Sequence, residues 1–108
     1  MIADVLPELD RADELARAAV GAELADLVCR RVEALLAGDD PPEPGSELER
    51  ACCALADQFV VYVPGVTEEL TEPVRRLLGD DGLYGLVCAL YVFDARARLR
   101  LALERVGA

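Results

Sequence analysis

The chain has 108 residues and a formal net charge of −10 at pH 7, so it makes one domain, 1–108, large enough for a core of its own and too acidic to favour a nucleic-acid backbone. It has no His, and all 11 basic residues are Arg. That excludes Ser–His and Cys–His nucleophile pairs, imidazole metal ligands, Schiff-base lysines and a phosphate-loop lysine, so no metal or cofactor is expected. Charge is uneven: residues 1–50 carry a net −8 and residues 51–108 a net −2.

Leu and Ala dominate and β-branched residues are sparse, which favours helix. Met1 to Pro7 read as a lead-in. Pro7 suits a first turn, and Glu8, Asp10, Asp13 and Glu14 suit the positive end of a helix over 8–20 with a weak face of Leu9, Ala12, Ala16, Ala19 and Val20. Gly21 breaks it. Leu24, Leu27, Val28, Val32, Leu35 and Leu36 repeat every 3.6 residues and predict a helix over 22–37, stopped by Gly38. The 38–46 stretch carries three prolines and is an irregular acidic loop, without the ligand geometry of a calcium loop.

Ser46 with Glu49 forms a capping box for a helix over 47–63 that buries Leu48, Ala51, Cys52, Leu55, Phe59 and Tyr62. Pro64-Gly65 is a turn. Thr67 is the N-cap of a helix over 67–78 with Leu70, Val74, Leu77 and Leu78 inward. Gly79-Asp80-Asp81 closes it and caps a last helix over 82–106. That helix opens with LYGLVCALYVF, residues 83–93, in which Gly85 alone is not apolar. A helix apolar all round needs cover on every side, which predicts a homo-oligomer with Leu83, Leu86, Val87, Leu90, Tyr91 and Phe93 at the subunit interface. Beyond it, Asp94 can pair with Arg98, Arg96 and Arg100 share a face, and Ala95, Leu99, Ala102, Leu103 and Val106 continue the apolar side.

An apolar run of 11 residues is short of the ~20 that span a membrane, and no signal-like start precedes it. The expectation is a cytoplasmic protein with reduced thiols. Cys29, Cys52, Cys53 and Cys88 fit no zinc or Cys-x-x-Cys spacing and read as small apolar core residues.

ERACCALAD at 49–57, VTEEL at 66–70, VRRLLGDDGLYGLVCAL at 74–90 and FDARARL at 93–99 resemble the carboxymuconolactone decarboxylase and alkylhydroperoxidase D-like family. The resemblance implies an all-α, five-helix orthogonal bundle that is oligomeric. In active thiol members a Cys-x-x-Cys followed by a His stands after the helix matching 22–37, with a Glu relaying the proton. Here that place is Gly38-Asp39-Asp40-Pro41-Pro42, both cysteines and the His are missing, and Asp26, near the relay position, has nothing to relay to. Thiol peroxidase chemistry is therefore not expected.

Two readings of function follow. The first is a non-catalytic, oligomeric interaction or scaffold module, with a further protein as partner. The second is an isomerase- or lyase-type enzyme on a small anionic substrate, with Asp26 as base, Tyr84 and Tyr91 as acid–base groups and Arg96 or Arg98 as the anion anchor. A pocket joining Asp26, a Tyr and an Arg would favour the enzyme, and a filled core there the module.

Overall fold

The computed structural model describes residues 2–107 and is all-helical over them, with four helices and no strand: α1 Ile2–Val20, α2 Ala22–Ala37, α3 Glu47–Val61 and α4 Glu68–Arg105. The all-α class is as read from composition and periodicity. The expected fourth and fifth helices, 67–78 and 82–106, run on as one element whose axis breaks at Gly79 (φ 79°, ψ 175°). Only glycine occupies that backbone region without strain, so the break is one residue wide and helical hydrogen bonding resumes at once.

The core is made mainly by α2, α3 and α4, with Ala16 of α1 joining it. Val28, Val32, Cys52, Leu55, Val74, Leu86, Leu90 and Phe93 have essentially no exposure. Along α4 the buried residues are Val74, then Leu83, Leu86, Ala89, Leu90, Phe93 and Ala97, a one-sided stripe at helical spacing. The run that looked apolar all round is thus one-faced. Ala97 is buried where Ala95 and Ala102 were expected to be, and those two are exposed.

α1 lies against α4 and begins earlier than the expected Glu8. Pro7 sits inside the helix rather than in its first turn; its missing N–H removes one hydrogen bond and leaves the remainder of the helix intact. The helix is held differently from the others: from Val5 onward its buried residues are Ala16 and Asp13.

Local chemistry sets the remaining ends. Gly38 adopts the left-handed conformation (φ 79°, ψ 18°), and Asp39 N–H bonds Ala34 O at 2.8 Å, a Schellman-type stop for α2. Ser46 Oγ accepts the Glu49 N–H at 3.1 Å, while the Glu49 carboxylate takes the Gly45 N–H at 2.8 Å, one residue earlier than a reciprocal box predicts. Thr67 occupies the N-cap position of α4 without a side-chain cap bond. α3 stops at Val61, not Val63, and Val63–Gly65 form a short 3-10 turn. In a continued helix the residue-64 N–H would reach Val60 O, and Pro64 has none. Arg98 Nη2 donates to Val60 O instead, at 3.0 Å. Tyr62, expected inside, is 61% exposed as a result.

Candidate functional site

The side chains able to do chemistry fall into four places, and the first is a line of alternating charges across α1, α2 and α4. Arg96 donates from Nε to Asp10 Oδ1 at 2.8 Å, its Nη2 lies 2.8 Å from the same oxygen as an ion pair, and its Nη1 stands 3.5 Å from Asp13 Oδ1. That last contact is ionic only, so Oδ1 of Asp13 is buried without a hydrogen bond. Asp13 Oδ2 accepts Arg17 Nε at 2.8 Å. Arg17 lies 5.4 Å above the Phe93 ring and reaches to 4.0 Å from Asp26, which in turn binds Arg30 at 2.9 Å. Arg17 is held above its ordinary pKa, chiefly by the Asp13 hydrogen bond.

Asp26, the expected base, is therefore a half-exposed member of an ion-pair chain. Arg96 and Arg98, the expected anion anchors, are committed within the chain: Arg98 binds both Asp94 oxygens at 3.0 Å as well as Val60 O.

The second place is the loop. Arg31 donates from Nε and Nη2 to the two oxygens of Asp57 (2.6 and 2.8 Å) and from Nη1 to Pro42 O at 2.7 Å. One guanidinium thus ties α2, α3 and the proline loop together in the planar, forked geometry that only Arg offers. Neither residue stood out in the sequence, because a pair separated by 26 positions leaves no local pattern. Arg31 is 14% exposed at its side chain and Asp57 38%. Arg31→Ala is expected to cost about 2 kcal/mol, between an exposed pair and a fully buried one, and to lower Tm by roughly 10 °C. Arg31→Lys should recover less than half of it. A thermal melt of Arg31→Ala within about 2 °C of the parent would refute the anchor.

Beside this loop opens a cleft of about 700 Å³, with Ala34, Ala37, Ala97 and Leu101 against Arg30, Arg100, Glu33, Asp39, Asp40 and Glu104. Its lining has no thiol or hydroxyl, so the chemical groups it offers are carboxylates and guanidiniums. Among the described residues no group of three or more His, Cys, Asp or Glu is arranged to hold a metal ion.

The thiols are the third place. Cys29, Cys52 and Cys53 are buried as expected, but Cys88 is exposed on α4. Burial pushes the Cys29 and Cys52 thiols up to about 12, with Glu33 adding to the first and Cys53 to the second. Cys53 is raised by burial too, against the opposing pull of Arg31. Protonated thiols of this kind are packing groups rather than nucleophiles at neutral pH.

The fourth place is the outer face of α4. Tyr84, Cys88 and Tyr91, at i, i+4 and i+7, are exposed, Tyr84 by 73% and Tyr91 by 56%. Tyr91 stands edge-on to Phe59 at 4.7 Å between centroids. Tyr84 borders an open depression of about 720 Å³ with Arg75, Asp80, Leu83 and Val87. Of the six residues expected at a subunit interface, Leu83, Leu86, Leu90 and Phe93 are buried inside the chain itself, and only Val87 and Tyr91 reach the surface. Arg30, Tyr84 and Arg98 line three different cavities, and none of the three includes Asp26.

No helix among the described residues is long and apolar enough to cross a membrane. The chain matches no family profile and no solved structure. It is similar to two uncharacterised proteins of Mycobacterium tuberculosis, one from strain CDC 1551 and one from strain H37Rv, each 37% identical over 65 residues. That match takes in 60% of this chain and 22% of each relative, so the likeness spans a minor part of those proteins' length.

Proposed function

We propose that the chain is a non-catalytic, cytoplasmic interaction module that associates with a second copy of itself through the outer face of α4. The observation that carries this reading is the outward stripe of Tyr84, Cys88 and Tyr91, two large aromatic side chains and a thiol left in water on one face. Residues 51–108, which hold α4, carry a net −2 against −8 for residues 1–50, so this segment brings little net charge of its own to a contact between copies. An aromatic ridge beside a depression on the same surface also suits a two-fold contact, in which each copy offers both parts.

The likeness to the carboxymuconolactone decarboxylase and alkylhydroperoxidase D-like family goes with this reading. What supports it is the distribution of the resembling segments, which fall on α3, on the turn into α4 and on its two arms. In that family frame the protein is a relative whose redox segment is replaced by the proline loop and whose packing role survives.

Sedimentation equilibrium tests the proposal. The parent chain should form a dimer or larger assembly at micromolar concentration. Tyr84→Glu with Tyr91→Glu should weaken it at least about a hundredfold, two central aromatic contacts being worth roughly 2 kcal/mol each. A monomeric parent, or an assembly indifferent to both substitutions, would remove this reading.

A further inference from the structure

We propose that α1 is an exchangeable arm: hinged at Gly21, it can leave its own chain and dock in the same place on a second copy. The hinge is a single residue. Gly21 N–H bonds Arg17 O at 2.9 Å, closing α1, and Gly21 O accepts Ala25 N–H at 2.9 Å, opening α2. Both are helical bonds, and only the dihedral angles of Gly21 (φ 104°, ψ 139°) keep the two helices from being one. Turning that one residue to helical angles makes 2–37 a continuous helix and swings α1 away from its own α4.

The hold on α1 suits release. From Val5 onward its buried side chains are Ala16 and Asp13, and its contacts with α4 include those of Asp10 and Asp13 to Arg96 and of Arg17 above Phe93. Over that span it buries one apolar side chain, against five residues buried by α2 and six by α3, so it is the helix whose detachment gives up the least apolar burial. Detachment uncovers Phe93, and the group that covers it again with the same contacts is α1 of another copy. Every α1–α4 contact recurs in the exchanged dimer, and the closed and exchanged forms differ only in the hinge and in concentration. A one-residue connection held in a glycine-only conformation is the setting in which such exchange arises.

Gly21→Ala isolates the hinge, because a Cβ there would meet nothing within 4 Å and only the backbone conformation is penalised. The measurement is made in the Tyr84→Glu, Tyr91→Glu background, so that its outcome is independent of association through the α4 face. Sedimentation velocity should show the dimer dissociation constant falling about a hundredfold on Gly21→Ala, since two strained hinges are relieved per dimer. A Gly21→Ala chain that stays as monomeric as its background overturns the proposal. In the Gly21→Ala form, an Asp10→Arg chain and an Arg96→Asp chain, refolded together, should form heterodimers in clear excess over the statistical half. If either chain folds poorly alone, recovery of helical folded dimer on mixing is the same result. A statistical mixture, or no recovery, shows that α1 does not cross between copies.

Discussion

Phe93→Ala is expected to remove about 4 kcal/mol of folding stability, and Tyr91→Ala, two residues away on the same helix, about 1 kcal/mol. Phe93 is 1% exposed in the core shared by α2, α3 and α4, with the Arg17 guanidinium over its ring. Truncation leaves a cavity that helices fixed on three sides cannot close, and it also removes the face on which the cation rests. Tyr91 has most of its ring in water, and its edge-to-face contact with Phe59 is the principal loss. For a domain whose whole stability is about 5–15 kcal/mol, the first substitution lowers Tm by roughly 20 °C and the second by about 5 °C. Urea denaturation of both variants, at a concentration below self-association, gives the comparison. Costs equal to within about 1 kcal/mol would mean that the 83–93 helix is covered on all sides after all.

That comparison bears on what the residues disclose unaided. The apolar tally of LYGLVCALYVF treats Tyr and Cys like Leu, and so hides that Tyr84, Cys88 and Tyr91 fall together on the outer face while Leu83, Leu86, Leu90 and Phe93 fall inward. Periodicity with a heavier weight on Leu and Phe would have separated them. Features governed by near neighbours were legible: the stripe of α2, the left-handed Gly38 and the Ser46 cap each depend on residues within one turn. Helix ends next to proline were misplaced at Pro7 and at Val63, because one proline was tolerated inside a helix and the other cut a helix two residues short. The candidate site was the least legible part. The Asp94–Arg98 pair, four positions apart, was legible, yet the other partners of Arg96 and Arg98, Asp10 and Val60, lie 86 and 38 positions away, and Arg31 with Asp57 gave no local signal. A charge in a sequence shows that a partner is needed; which carboxylate supplies it is settled by how the helices pack.

The buried thiols lead to an expected alkaline instability. Cys29 and Cys52 have an ordinary value of 9.0 and are pushed up to about 12 by burial in the fold. The folded pKa lies above the unfolded one, so the unfolded chain releases protons first as pH rises. The stability contributed by keeping both thiols neutral is fully present below about pH 9 and is lost progressively from there towards about pH 12. Each thiol removes about 1.4 kcal/mol per pH unit within that window, so the pair removes about 4 kcal/mol between roughly pH 9 and 10.5. Urea midpoints measured from pH 7 to 10.5 should be level at first and then fall steeply. Cys29→Ala with Cys52→Ala should start lower at pH 7, by about 1 kcal/mol for each small cavity, and stay nearly flat, so the two curves meet at roughly pH 10 and cross above it. Cys53, raised by the same burial, leaves the double variant a residual slope. Parallel curves would show that these two thiols carry no alkaline linkage, and with it would go the account of them as neutral groups buried between α2, α3 and α4.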